Sequence, residues 1–156
     1  MKSIELKVLN KNLLDKKLEI KYQTAGAAGV DLRYCGISDS DCFDPIIIKP
    51  NETKLLKSGI AINIKENSYV GLVFPRSGLG HKHGIVLSNL TGVIDSDYQG
   101  EIKISLWNRS NKEYTILPYD RLAQLVFVKI AQPEFVLVDD FEKTDRGECG
   151  FGSTGR

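Results

Sequence analysis

Glu101-Ile102-Lys103-Ile104-Ser105-Leu106-Trp107-Asn108 carries an apolar side chain at every second position through Leu106. Successive side chains of a strand point to opposite faces, so period two describes a strand with one dry face and one wet face. The alternation recurs at Ile4, Leu6 and Val8, at Ile60, Ile62 and Ile64, and at Val126, Val128 and Ile130. Turn formers separate these runs: Asp44-Pro45, Lys49-Pro50-Asn51, Ser58-Gly59 and Leu117-Pro118. Their intervals suit many short strands and leave little room for long helices. The pattern predicts an all-β sandwich or jelly roll. Residues 9–20 are the only stretch with helical potential, and they read as a loop.

A chain of 156 residues makes one domain and buries about two-thirds of its unfolded surface. With 42% hydrophobic and 26% charged residues, it is ordinary for a globular protein. Lys and Arg number 21 against 20 Asp and Glu, so no global positive field attracts nucleic acid or an anionic membrane. An anion has to be held locally. The N-terminal Met1-Lys2-Ser3-Ile4-Glu5-Leu6-Lys7 lacks the continuous apolar core of a signal peptide, and no run elsewhere is long enough to span a bilayer. Cys35, Cys42 and Cys149 are odd in number and scattered, which argues against a disulfide framework and a zinc site and fits a reducing cytoplasm.

Several segments offer chemistry. Arg76-Ser77-Gly78-Leu79-Gly80 follows the apolar run ending Leu72-Val73-Phe74-Pro75, placing a cation, a hydroxyl and backbone N–H groups at one strand end. That outlines a phosphate cradle, although an ordinary polar turn explains it as well. Asp95 and Asp97 follow the apolar Val93-Ile94; one can orient a water, or both can serve as turn residues. Asn89 offers a donor and an acceptor for a base edge, or a cap for the turn. Asp31 lies between apolar neighbours, where a lone carboxylate is costly and needs a cation or donors. Arg121 and Gln124 raise the matching question on another strand, and an internal salt bridge is the structural answer.

The tail Arg146-Gly147-Glu148-Cys149-Gly150-Phe151-Gly152-Ser153-Thr154-Gly155-Arg156 contains a literal G-x-G-x-x-G, but only Arg156 follows it, so no helix can bring a dipole to a dinucleotide. Arg146 remains for anionic oxygens and Phe151 for stacking on a base, while the composition suits a disordered tail equally. His81 and His83 have no third ligand beside them and read as a solvated loop.

In order, Ala25-Gly26-Ala27-Ala28-Gly29-Val30-Asp31-Leu32, Pro75-Arg76-Ser77-Gly78, Gly92-Val93-Ile94-Asp95 through Tyr98 and Gly100, Arg121-Leu122-Ala123-Gln124, and Arg146-Gly147 through Thr154 resemble the five motifs of the trimeric deoxyuridine triphosphatase family. The resemblance implies a jelly-roll (β-clip) homotrimer that hydrolyses dUTP to dUMP and pyrophosphate with Mg²⁺, in active sites at subunit interfaces. It implies a catalytic domain over residues 1–145 and a closing tail over 146–156. Asp95 would orient the water that attacks the α-phosphorus. Asn89, Val93 and Ile94 would read uracil, and Tyr98 would exclude a ribose 2'-OH. Arg76, Ser77, Gly78 and Gln124 would line the triphosphate, with Asp31 holding waters of the magnesium ion. Arg146 and Phe151 would close over the nucleotide, and Lys103 would touch it. Cys149 stands where the family pattern has glycine, and Gln99 where arginine is common.

Two rival functions bear comparison. The related dCTP deaminases need a glutamate on the strand after the hairpin, where this chain has Ser105. A non-catalytic nucleotide-binding or regulatory jelly-roll trimer would not need Asp95, Asp31 and the arginines together.

Overall fold

The computed structural model describes residues 3–15, 17–38 and 43–148. Along the chain run β1 (Glu5–Val8), a 3-10 turn (Lys11–Leu14), β2 (Gly29–Arg33), β3 (Ile46–Ile48), β4 (Thr53–Asn63), β5 (Tyr69–Pro75), α1 (Ser77–His83), β6 (Ile85–Leu87), β7 (Gly92–Ile94), β8 (Glu101–Asn108), β9 (Tyr114–Ile116) and β10 (Arg121–Lys129). Among the described residues no helix is long and apolar enough to cross a membrane.

One four-stranded sheet has the order β1-β4-β8-β6, a second has the order β2-β10-β5-β7, and β3 pairs with β9. Every pairing is antiparallel. The result is a jelly-roll-like all-β body in which both large sheets and the small one contribute to a single apolar core. Ile60, Ile62 and Ile64 of the β4 segment and Ile102, Ile104 and Leu106 of β8 are buried, as their alternation requires.

The alternation reads less well in β1 and β10. Leu6 and Val128 are exposed, while β10 sends Leu122, Ala123 and Leu125 inward. Both faces of β10 are apolar, so period two alone does not say which faces the core. The helix also lies elsewhere than residues 9–20, where only the 3-10 turn forms. It occupies Ser77–His83, including the two histidines that read as loop. Gly78 and Gly80 lower its propensity, but it is ended by Gly84 in the left-handed conformation at φ 69°, with the Gly84 N–H donating back to Gly80 and Leu79.

A bulge in β4, where the register to β8 shifts between Lys57 and Ala61, is fixed by Gly59. Its N–H donates to Glu101 Oε1 at 2.8 Å, and its carbonyl accepts from Leu9 and Asn10. Gly59 has φ 73°, and a Cβ there would stand 2.9 Å from both Asn10 Cβ and Cys35 Sγ. Burial first, and the Glu101 carboxylate second, push the Cys35 thiol up to about 12. The folded state thus favours the neutral thiol, a preference intact below the ordinary value of 9.0 and lost as pH rises toward 12. Gly59→Ala combines a left-handed backbone with overpacking and should cost ~2–4 kcal/mol. Urea unfolding of the variant beside the wild type measures this as a lowered midpoint.

Candidate active site

Three strands of the second sheet meet at the site. β10 lies between β2 and β5, and Gln124 is in register with Asp31 on one side and Phe74 on the other. β5 then ends at Pro75 and delivers Arg76 to the start of α1. Arg121 and Gln124 are three residues apart, so in a regular strand they would point to opposite faces. The register of β10 on β2 shifts between Arg121 and Ala123. That extra residue restores the parity, leaving Leu122 and Ala123 both buried and placing Arg121 and Gln124 on one cavity wall.

The Asp31 carboxylate is clamped. Oδ1 accepts from Arg76 Nε at 3.1 Å, and Oδ2 accepts from Arg121 Nη1 at 3.2 Å. Its side chain is only 12% exposed, so the internal salt bridge answers the cost of a carboxylate placed there. Arg76 Nη1 also donates to the Arg121 carbonyl at 3.3 Å. Burial, then the neighbouring Arg121 guanidinium, lower the Arg33 value, yet an arginine stays charged at neutral pH.

These groups open onto a cavity of about 410 Å³ lined by Asp31, Arg76, Ser77, Gly78, Arg121 and Gln124, with Gln23, Lys82 and His83 completing its polar wall. A Cβ at Gly78 would meet nothing within 4 Å. The protomer's own packing therefore does not demand glycine there, and the open space suits close approach of a ligand to the backbone. Asp31 is the one carboxylate among the described lining residues. The described residues contain no cluster of three or more His, Cys, Asp or Glu able to hold a metal.

The second half of the site is a hairpin. Asn89 precedes Leu90, whose φ is 62°, and Thr91 N–H donates to the Asn89 carbonyl at 2.7 Å. β7 carries Val93 and Ile94 along β5. Asp95 follows and accepts from Tyr98 N–H at 3.2 Å through its carbonyl. Among the described residues its carboxylate has no hydrogen bond or ion pair. Tyr98 Oη donates to the Glu101 carbonyl at 3.0 Å, and its ring lies so close over Gly100 that a Cβ there would sit 2.5 Å from Oη.

Asp95 lines a different cavity, of about 490 Å³, with Asn67, Tyr69 and Gln132. The two cavities share no lining residue. Lys103 stands exposed on β8 in register with Lys57 and lines neither. Arg146 lies on an exposed segment beyond β10, and Phe151 falls outside the described residues.

A family model described as dUTPase matches residues 15–155. The chain belongs to the dUTPase family. A deoxyuridine 5'-triphosphate nucleotidohydrolase of Burkholderia mallei (strain SAVP1) is 52% identical over 98% of both chains. Its counterpart from Idiomarina loihiensis is 49% identical over 100% of this chain and 99% of that one. Among solved structures, a mutant dUTPase of Staphylococcus bacteriophage 80alpha with dUpNHpp superposes with TM-score 0.83 at 27% identity, covering 100% of each chain. A mutant dUTPase from phage phi11 of S. aureus, described as revealing the coordination of a structural Mg(II) ion, gives TM-score 0.75 at 25% identity over 90% of this chain and 99% of that one.

Within this dUTPase-family protomer, sequence reasoning left out Lys82 and Gln23. Lys82 was readable in principle, since four residues separate it from Gly78 on one helix face; nothing in the sequence marks Gln23. The clamp on Asp31 yields a measurable coupling. A double-mutant cycle of Asp31→Ala and Arg121→Ala, followed by urea unfolding, should return ~1 kcal/mol of interaction energy that shrinks in high salt, because Arg121 is partly exposed.

Proposed function

We propose that the chain hydrolyses dUTP to dUMP and pyrophosphate. The observation that carries this reading is the cationic cavity at the β5–α1 junction, in a chain of the dUTPase family. Arg76 with Arg121 behind it, the Ser77 hydroxyl, the Gly78 backbone and the Gln124 amide present donors suited to a polyphosphate. Magnesium fits this donor set, because the ion keeps several waters and is bound largely through substrate phosphates, needing little more from protein than the Asp31 carboxylate. Bound there, it would neutralise charge on the phosphate oxygens.

In this reading Asp95 orients a water toward the α-phosphorus and takes its proton, as an unpartnered carboxylate can. The bond to the bridging oxygen breaks and pyrophosphate leaves. Asn89, Val93 and Ile94 read the uracil edge, Tyr98 packs against the sugar where a 2'-OH would clash, and Lys103 adds a nearby cation. Arg146 and Phe151 close over the nucleotide from the tail of residues 146–156. The product serves the supply of dUMP and keeps uracil out of DNA, in the reducing cytoplasm that the scattered cysteines suit.

The same reading makes the protein a homotrimer. Asp95 and the proposed phosphate-binding residues line separate cavities in one copy of the chain, as expected if a second copy completes each site. Residues 131–148 run exposed beyond β10, with Phe135 at 99% and Leu137 at 98%. An apolar groove of about 290 Å³ lies beside the edge strand β1, walled by Ile4, Leu6, Ile60, Ile62 and Phe127 among others. An arm of one copy laid in the groove of the next covers both.

Pyrophosphate release from dUTP with Mg²⁺ tests the activity, and ammonia release from dCTP tests the deaminase alternative. Asp95→Asn should leave thermal unfolding unchanged and lower kcat by ~10² to 10⁴; near-normal turnover would move the base elsewhere. Truncation separates arm from tail. Removing residues 146–156 should leave the trimer intact by light scattering and lower kcat about 10²-fold, the cost of losing a closing lid. Removing residues 131–156 should also yield monomers.

A further inference from the structure

Lys82 lies one turn beyond Gly78 on α1 and lines the same cavity as Arg76, Ser77 and Arg121. Residues four apart on a helix share a face, so the long side chain of Lys82 rises beside the open space at Gly78. Its backbone is held: Gly84 caps the last turn, and the neighbouring His83 ring packs on Tyr114 with centroids 4.9 Å apart. Its ammonium is exposed and, among the described residues, has no ion pair or hydrogen bond.

Charge balance gives that ammonium a task. Asp31 neutralises one of the two guanidinium groups that clamp it, so the triad offers a single net positive charge to a ligand carrying several negative ones. No second carboxylate among the described lining residues opposes Lys82. The helix rises ~7.5 Å between Ser77 and Lys82, which sets the backbone of Lys82 more than a turn along the helix from the strand end that delivers Arg76.

Resting on the reading of a deoxyuridine triphosphate as substrate, we propose that Lys82 is a further binding residue of this cavity, one that holds the terminal phosphates and so distinguishes substrate from monophosphate product. A lysine suits the role as a mobile point charge on a flexible stem, able to follow oxygens that arginine geometry would fix. A contact confined to the terminal phosphates is lost when pyrophosphate departs, and dUMP is then held without it.

The test measures binding of a non-hydrolysable imido analogue of dUTP, and separately of dUMP, to full-length wild type, Lys82→Ala and Lys82→Arg, by calorimetry at two salt concentrations. One charge-assisted contact corresponds to about tenfold in affinity. Lys82→Ala should weaken the analogue by about that factor while dUMP changes by less than twofold, and the difference should narrow in high salt. Lys82→Arg should retain most of the affinity. In turnover, the loss should fall on KM rather than on kcat. Equal weakening of both ligands, no weakening of either, or an arginine variant as poor as the alanine one overturns the proposal. Wild type that binds both ligands yet releases no pyrophosphate overturns the hydrolytic reading and leaves the Lys82 comparison decisive on its own terms. Wild type that binds neither overturns both.

Discussion

The cationic cavity of this molecule depends on a one-residue irregularity in β10. Strand geometry allows only even-numbered neighbours to share a face, yet Arg121 and Gln124 stand on one cavity wall. The register shift beside Arg121 supplies the missing residue, and two consecutive apolar side chains, Leu122 and Ala123, turn inward to absorb it. Without it Arg121 would leave Asp31 with one cation, and Arg76 would lose the Arg121 carbonyl that its guanidinium also reaches. The carboxylate is thus a rivet through three strands' worth of sequence, with β2, the end of β5 and β10 held at one point.

The hairpin half is built on different terms. It rests on backbone conformations and close contacts: a leucine at positive φ, a turn closed on the Asp95 carbonyl, and a tyrosine ring folded onto a glycine. None of these involves the charges of the other half. Within one copy of the chain the cationic cavity holds its own carboxylate, Asp31, while that of Asp95 has no ion pair among the described residues. Lys82 belongs with the first half, as a cation that the clamp does not consume.

Much of the fold was readable because Ile102, Ile104 and Leu106 alternate with Glu101, Lys103 and Ser105, and Ile60, Ile62 and Ile64 alternate with smaller or polar residues, so the large apolar side chains had one direction to take. Where both faces are apolar, as in β10, periodicity lost its direction. The helix at Ser77–His83 was hidden because two glycines argue against it; its cap at Gly84 is a local signal outweighed by them, and the packing of Leu79 on the core is a tertiary fact. At the site, the gathering of Asp31, Arg76, Ser77, Gly78 and Gln124 was legible in the order of the motifs. The resemblance implied sites at subunit interfaces, but that Asp95 lines a separate cavity within one copy was not legible in strand periodicity or spacing. Lys82 was missed because a lysine between two histidines reads as a solvated surface until the helix turns it toward the cavity.

The exposed arm of residues 131–148 follows every strand of the body in chain order. No core residue belongs to the arm, so the body can complete its core with the arm still unplaced. Until another surface covers it, such a body trails Phe135, Val136, Leu137 and Phe141 in water. Such a segment is hydrophobic and rich in β-formers, so its lifetime in that state sets a kinetic race between capture by a proper groove and capture by any sheet edge nearby. Glu134, Asp139, Asp140 and Glu142 flank these apolar residues, and like-charged gatekeepers at those positions slow the wrong outcome by repelling a second arm of the same kind.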